Sequence, residues 1–374
     1  MKYCTFLLIG ALCIASAAYA QTTTETVPSA ASRLPDISVI GNAIGLLSDN
    51  SEQTDRDHLR LQEIELVIGS PIYPGVRGDV IIALHDPDFT AEVEEGYVTF
   101  EQFIRQAPIG GRIGIARLPF GKTNPQHPHQ LPYVDTASAV ANLLGDEFIG
   151  NGFELVALPS LGGGSFLQAQ IGRWQPRVLH GHDEGEEEDE HAEVGAGFTG
   201  DRRLTLGRLW SGRSLRDGSE IEVGFSGAFG QGRHEEVDEF GDHVIHRPDV
   251  NLLGADVTWR KWFSGERRLL LQAEGIRRQQ QGEEGTERQF GYFLLGTFRP
   301  GHFYEFGTRY DWSETPAVAG VHESYLSAFG TRFLNETTYA RLQVKHGRDA
   351  HQERSTQVIL QVVFGFGPHA HVLQ

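Results

Sequence analysis

The chain of 374 residues contains very little cysteine and no long hydrophobic run. Its two cysteines, Cys4 and Cys13, both lie within the first twenty residues. Small secreted domains commonly depend on disulfides, so a chain without cysteine beyond residue 20 is not built on such a framework. No later stretch approaches the roughly 18–20 consecutive apolar residues of a membrane-spanning helix. A bundle of membrane helices is therefore excluded.

Basic charge is also in short supply. The sequence has 32 Lys and Arg against 50 Asp and Glu, which gives a formal net charge of −18. This balance argues against binding to nucleic-acid phosphates. The sequence also lacks a Gly-x-Ser-x-Gly nucleophile elbow and a His-Glu-x-x-His zinc motif. We therefore expect neither a nucleic-acid partner nor an enzyme.

The first residues have the pattern of an export signal. Lys2 precedes an apolar run, and the small residues of Ala18-Tyr19-Ala20 provide a cleavage pattern. We predict a signal peptide over 1–20 and a flexible Thr/Ser-rich leader over 21–34. The remainder, 35–374, is predicted to form one domain.

Long segments of period-two alternation fill this domain. Near the end of the chain, Leu360, Val362 and Phe364 share one face of such a segment. Strands in globular proteins peak at about 5–6 residues, whereas tilted strands that cross a bilayer need about 9–11. Many of these segments have 10–12 residues. We count sixteen: 36–46, 59–69, 76–85, 96–105, 111–117, 148–158, 165–175, 194–210, 219–230, 250–263, 267–279, 288–298, 302–312, 322–333, 337–346 and 355–366.

The connections between these segments alternate between long and short. An even strand count with long extracellular loops and short periplasmic turns is typical of outer-membrane barrels. The predicted fold class is all-β: a transmembrane antiparallel β-barrel of about sixteen strands in the outer membrane of a Gram-negative bacterium. The longest connection, 118–147, follows the fifth segment.

Residues 117–135, RLPFGKTNPQHPHQLPYVD, resemble the Arg-x-x-Phe-Gly-x-x-Asn-x-x-His-Pro-His segment of a porin-like outer-membrane family related to the phosphate-selective porins. The first strand, PDISVIGNAIGLLSDN, and the end of the chain from Gln357 to His369 resemble that family too. The resemblance implies a single outer-membrane barrel with a diffusion channel. In general porins with sixteen strands the third extracellular loop folds inward and narrows the pore. We therefore interpret 118–147 as a constriction loop.

The resemblance also implies partners. These are small solutes or ions, outer-membrane lipid with its lipopolysaccharide, and the barrel-assembly machinery. Sixteen-stranded porins are often homotrimers, although no interface is recognisable in this sequence. The candidate constriction residues are Lys122, His127, His129 and Asp135. The His127-Pro128-His129 segment either shapes the loop or contacts the solute, and both interpretations remain open.

The most unusual composition lies in the predicted extracellular loop 176–193. Residues 180–193, HGHDEGEEEDEHAE, hold three histidines and eight acids, and 234–246 repeats the pattern. Imidazole suits zinc and other transition metals, while carboxylates suit calcium and magnesium. One interpretation is collection of divalent metal, zinc first, and the other is a solvated loop that bridges to lipopolysaccharide through calcium or magnesium. The candidate metal ligands are His180, His182, His191, His234, His243 and His246.

Charged side chains of both signs are expected to line the lumen. The predicted basic set, which would control ion selectivity, is Arg260, Arg309, Arg332, Arg341 and Lys345. The leading hypothesis is a porin that passes small solutes or ions, with loops that concentrate divalent metal. The alternatives are an anion porin of the phosphate type and a closed surface barrel that binds metal or mediates adhesion. No cofactor is required, although zinc or another divalent cation is a candidate ligand.

Overall fold

The structure is a computed structural model. It describes residues 35–367 except for 52, 54–55, 87–88, 104–106, 146, 178–192, 195–197, 200–201, 233, 238–242, 283–284 and 317–319. The predicted signal peptide and leader lie outside the described residues. Within the described ranges, no helix is both long and apolar enough to cross a membrane.

Sixteen strands form one closed antiparallel barrel, in which each strand pairs with its neighbours in chain order and the first strand pairs with the last. The barrel strands are β1 (Asp36–Ser48), β2 (His58–Tyr73), β3 (Val76–His85), β4 (Thr90–Phe100), β5 (Ile109–Arg117), β6 (Ile149–Ala157), β7 (Ser165–Arg177), β10 (Leu204–Ser214), β11 (Ser219–Gln231), β14 (Asp249–Trp262), β15 (Arg268–Gly282), β16 (Gly285–Arg299), β17 (Tyr304–Glu314), β18 (His322–Phe333), β19 (Tyr339–Arg348) and β20 (Arg354–Phe366). The predicted fold class and strand count are confirmed.

Four short strands form two hairpins that are not part of the barrel sheet. They are β8 (Glu193–Val194) with β9 (Phe198–Thr199), and β12 (His234–Val237) with β13 (His243–His246). The predicted segment 194–210 was therefore wrong at its start, since the barrel strand begins at Leu204. The segment 96–105 was also misplaced, because β4 runs from Thr90 to Phe100.

The two faces of the barrel wall have reversed polarity relative to a globular protein. The inner face carries buried polar groups, including Glu222, Asp256, Arg309, Gln343 and Gln361. The outer face carries exposed large apolar side chains, including Phe225, Leu253, Leu271, Leu294, Phe306, Leu326, Leu342 and Leu360. A strand places alternate residues on opposite faces, so the sequence alternation follows directly from this wall.

Three long connections leave the same end of the barrel, at 118–148, 178–203 and 232–248. Two other connections predicted to be long, 86–95 and 280–287, are short. β4 already begins at Thr90, and β15 and β16 are separated by residues 283–284 alone. The two-residue alternation continues in these strands beyond the apolar outer surface of the barrel. Polar residues that were expected in loops therefore form backbone hydrogen bonds with the neighbouring strand.

The connection 118–148, which we name the inward loop, lies inside the barrel. It contains a 3₁₀ turn at Pro128–Gln130 and one helix, α1 (Ser138–Leu144). Its apolar residues pack against inward side chains of the wall, among them Trp174 and Phe293. The residues of the inward loop that belong to this cluster are Leu118, Phe120, Leu131, Tyr133, Ala137, Val140, Leu143, Leu144 and Phe148. The loop is thus a packed part of the interior.

Candidate functional site

The inward loop is closed at its base by one asparagine. The Asn124 side-chain amide donates to the carbonyls of Leu118 and Phe148, at 2.8 and 3.0 Å, and its oxygen accepts from the Phe148 N–H at 3.0 Å. Leu118 and Phe148 flank the loop where it leaves and rejoins the barrel. Asn124 therefore satisfies backbone groups that burial would otherwise leave unpaired.

A first anchor joins the start of the loop to β11 and β15. Lys122 forms an ion pair with Glu222, and Thr123 donates to Glu274 from its N–H at 3.1 Å and its hydroxyl at 2.8 Å. Gly121 permits this approach, because its φ is +63° and a Cβ there would lie 1.9 Å from a Glu274 oxygen. A side chain at this position would displace the Glu274 carboxylate that Thr123 bonds and would strain the backbone at positive φ.

A second anchor joins the histidines to β2 and β4. His127 Nε2 lies 2.8 Å from Glu95 Oε1, and His129 Nδ1 lies 3.1 Å from Glu65 Oε1. All four side chains are buried. Burial alone would lower the pKa of His127, but the facing carboxylate of Glu65 raises that pKa well above its usual value. The His-Pro-His segment therefore contacts the barrel wall.

Further carboxylates surround this anchor. Glu63 and Glu94 are both buried, and Glu94 has no solvent exposure. The ladder between β3 and β4 shifts register at Ile81/Ile82, where Glu94 is the extra residue. This β-bulge turns two consecutive acids, Glu94 and Glu95, toward the interior, which a regular strand would not do. We name Glu63, Glu65, Glu94 and Glu95 the acidic wall.

A third anchor joins the end of the loop to β17 and β19. Asp135 accepts from Arg309 at 3.0 Å and from Lys345 at 2.7 Å, and Gln343 also donates to it. Burial alone would raise the pKa of Asp135, but Arg309 and then Lys345 hold that pKa well below its usual range. Asp311 accepts from Arg309 at 2.7 Å, so the guanidinium is shared between loop and wall.

Loop backbone groups next to these side chains bond to β19. Arg341 donates to the Tyr133 carbonyl at 3.0 Å, Tyr339 donates to the His129 carbonyl at 2.5 Å, and the Val134 N–H donates to Gln343 at 2.9 Å. Strand β19 therefore supports the 129–135 segment along its length. This arrangement fixes the height of the loop within the barrel.

A cavity of about 380 Å³ lies beside the loop toward the end with the short turns. Its walls include His129 and Tyr339, which belong to the loop and to β19. Four guanidinium groups face it together with two carboxylates: Arg260, Arg268, Arg299, Arg341, Glu305 and Glu336. The lumen on this side of the loop is therefore predominantly basic.

The predicted site residues fall into three groups. Lys122, His127, His129 and Asp135 all contact the inner wall, as described above. Four of the five predicted lumen cations also line the interior: Arg260, Arg309, Arg341 and Lys345. The prediction for Arg332 was wrong, because Arg332 shares the exposed face of β18 with Leu326.

The predicted metal ligands in the large loops are only partly described. His180, His182 and His191 lie outside the described residues. His234 and His246 are directly opposite each other in the β12–β13 hairpin, and His243 is opposite Val237. The structure therefore brings two of these histidine positions into register.

The acidic wall was missed from the sequence. Glu63 and Glu65 alternate with Ile64 and Leu66, which is a visible signal of an inward acidic pair. Glu94 gave no such signal, because the bulge that turns it inward breaks the alternation. Lys122 contacts Glu222 and Glu274 on the inner wall. Neither of these two glutamates was in the predicted constriction set.

No protein-family model matches the sequence, and no curated protein matches it. Solved structures do match. An anion-selective porin from Comamonas acidovorans has a TM-score of 0.56 at 11% identity, covering 89% of this chain and 100% of that chain. OprB of Pseudomonas putida has a TM-score of 0.57 at 10% identity, covering 89% and 94%. OmpT of Vibrio cholerae in a trimer form has a TM-score of 0.55 at 10% identity, covering 89% and 100%.

The chain therefore has the fold of the outer-membrane β-barrels, and its structural neighbours include porins. At this level of identity the similarity defines the architecture alone.

Proposed function

We propose that the protein is an outer-membrane porin, a channel for small solutes or ions, and not an enzyme. The observation that carries this proposal is the inward loop, which crosses the interior of a sixteen-stranded barrel and is anchored to its wall by charged side chains. A barrel of sixteen strands is wide enough for an aqueous lumen. A loop fixed inside it narrows that lumen and determines what passes.

Aromatic residues on the outer face support a membrane location. Toward the end with the long loops, Tyr292 stacks on Trp312 at 5.8 Å and contacts Tyr310 at 6.2 Å. Near the end with the short turns the exposed aromatic residues include Trp262, Phe263, Phe298, Phe303, Tyr304 and Phe366. Two such belts beside an apolar band are typical of a wall that spans a bilayer.

Planar-bilayer recording tests the channel directly. Purified protein is expected to insert and give discrete conductance steps in KCl. A variant without residues 122–135 is expected to give larger steps, because the loop no longer crosses the lumen. Correctly folded protein that conducts no ions would contradict the channel and would favour the closed surface barrel.

Anion passage is the second candidate, and the four guanidinium groups of the cavity favour it. We infer that this side of the lumen attracts anions, as the resemblance to phosphate-selective porins also suggests. The reversal potential in a KCl gradient measures the preference. Substitution of Arg268 and Arg299 by Gln is expected to shift it toward cations, with Arg332→Gln on the outer face as the matched control. A shift of equal size in Arg332→Gln would contradict a role for the cavity.

The sequence of the large loops supports a second activity, the concentration of divalent metal at the channel entrance. Zinc titration calorimetry on intact protein and on a variant without residues 180–193 tests it. Loss of low-affinity binding in the variant is expected. Unchanged binding would remove this loop, with His180, His182 and His191, from the proposal.

We also propose a homotrimer embedded in outer-membrane lipid and lipopolysaccharide and inserted by the barrel-assembly machinery. The trimer form described for OmpT of Vibrio cholerae supports this assembly. Light scattering of protein extracted in mild detergent tests it, with a mass near three chains expected. A single-chain mass would contradict the trimer.

A further inference from the structure

The acidic wall carries more buried negative charge than its neighbours balance. Glu63, Glu65, Glu94 and Glu95 are each at most 6% exposed. Arg117 lies 3.9 Å from Glu94 Oε1 but makes its closest ion pair with Glu147, and Arg112 pairs first with Glu154. Buried carboxylates at this density must either take up protons or gain additional positive charge.

Glu94 is the least compensated of these groups. Among the residues that the structure describes, none donates a hydrogen bond to either of its carboxylate oxygens. Its Oε2 faces His127 Nδ1 at 3.5 Å. Within the same described set, His127 Nδ1 makes no hydrogen bond either, and it lies 3.4 Å from Glu65 Oε1. His127 Nδ1 therefore faces one oxygen of each of two enclosed carboxylates, and Glu65 Oε1 also lies 3.1 Å from His129 Nδ1.

These spacings match a metal site better than a hydrogen-bond network. Zinc binds nitrogen and carboxylate oxygen at about 2.0–2.2 Å, so two donors on one tetrahedral ion lie about 3.3–3.5 Å apart. The donor set of one imidazole and two carboxylates suits zinc or another divalent transition metal. The ligand atoms of Glu65, Glu94 and His127 all lie within 4.8 Å of one another.

The other ring nitrogen of His127 is held as a metal ligand requires. Nε2 lies 2.8 Å from Glu95 Oε1, and Glu95 Oε2 accepts from the Arg117 N–H at 3.0 Å. An ionised carboxylate accepts and cannot donate, so Nε2 carries a proton, and a metal ion at Nδ1 would take the place of the second ring proton. Metal-binding histidines usually donate their second N–H to a carboxylate in this way.

We propose that Glu65, Glu94 and His127 bind one divalent transition-metal ion, with zinc as the probe. The ion ties the inward loop to strands β2 and β4. Its ligands differ from the histidines predicted to bind metal in 180–193 and 234–246, and they are enclosed, so the ion enters as the loop folds into the barrel. Glu63 and His85 lie on the other side of Glu94, where His85 Nε2 is 3.8 Å from Glu94 Oε1. Because this distance is wider, we leave both residues out of the ligand set.

Metal content measures the site. The full-length chain is folded with zinc, exposed briefly to EDTA to strip surface ions, and analysed by plasma mass spectrometry. About one zinc per chain is expected in the unsubstituted protein. At least a tenfold lower content is expected in Glu94→Gln and in His127→Gln, whereas His85→Gln and the exposed control His346→Gln keep the ion. Zinc-free unsubstituted protein, or a full complement in Glu94→Gln, would overturn the proposal.

X-ray absorption at the zinc edge on the unsubstituted protein makes the proposal independent of how the variants fold. A first shell of nitrogen and oxygen with one imidazole is expected. A shell with two or more imidazoles would assign the ion to the His-rich loops and overturn the ligand set.

Discussion

Two stretches of the barrel wall hold the inward loop with opposite charge arrangements. At β17 and β19 the wall supplies the cations, Arg309 and Lys345, and the loop supplies one carboxylate, Asp135. At β2 and β4 the wall supplies the carboxylates and the loop supplies imidazoles. The first stretch is closed by direct hydrogen bonds, whereas the second leaves donor atoms of Glu94 and His127 without them within the described residues. A loop can therefore be fixed by direct hydrogen bonds at one end and, as we propose, by a shared ion at the other.

The comparison predicts that the largest loss in the free energy of unfolding follows the substitution of Asp135, because this single carboxylate forms most of the ion pairs of its stretch. Asp135→Asn removes the negative charge that faces the buried Arg309 and the partly buried Lys345. We expect a loss of about 3 kcal/mol in the free energy of unfolding, because a buried ion pair is broken from one side. Denaturant unfolding in detergent measures it, with the exposed Glu353→Gln as a charge-matched control. Equal midpoints for the two variants would contradict the anchor.

The acidic wall should tolerate the same kind of change better. In protein folded in the presence of EDTA and without added metal, Glu65→Gln removes one of several carboxylates and relieves repulsion while it weakens the contact to His129. We expect a loss of about 1–2 kcal/mol, smaller than for Asp135→Asn. The same unfolding measurement decides the order. A larger loss for Glu65→Gln would mean that the wall carboxylates act as a set of indispensable partners.

The stability that Asp135 contributes should depend on pH in the acid range. The folded-state pKa of Asp135 is depressed by Arg309 and Lys345, with Asp311 as the neighbouring acid on the wall. Stability from this group is therefore present above its ordinary pKa, near pH 4, and is lost as the pH falls through the depressed folded value. The difference in melting temperature between the unsubstituted protein and Asp135→Asn should be constant from pH 7 to 5 and shrink below about pH 4. A difference that is already gone at pH 5 would refute the assignment.

The smallest expected effect concerns the hydrogen bond from Tyr339 to the His129 carbonyl. Tyr339→Phe removes the donor and keeps the ring, so we expect a loss of about 1 kcal/mol. Tyr304→Phe, on the exposed rim, is the matched control with an expected effect near zero. Identical melting temperatures for both variants would show that this bond does not hold the loop.

The barrel was predictable because its pattern is local. Alternation and strand length appear within each segment, and β3 and β18 were predicted at their observed bounds. Arg332 was misplaced because β18 has weak contrast between its faces: Tyr325 and Phe329 point inward, while Ala328 and Gly330 point outward. Where both faces are mixed, parity alone does not identify the lumen side.

The candidate site was less predictable because its contacts are remote in sequence. The His127 and Asp135 positions were singled out from the motif, yet their partners lie in β2, β4, β17 and β19. The bulge at Glu94 shifts β4 by one residue relative to a regular ladder. A two-residue period carries no information on such a shift, so the acidic wall could be found only from the folded structure.

The long reach of the inward loop has a consequence for how the barrel assembles. Asp135 meets Lys345 across 210 residues of chain, and His129 meets Tyr339 across the same separation. Contacts of such separation form late, because the intervening chain must be placed first. Until β17 and β19 join the wall, the loop has only its earlier partners. The barrel closes when β1 pairs with β20, and the loop is fixed across the lumen in the same late stage of assembly. An incompletely assembled barrel would therefore be the leakiest form of this protein.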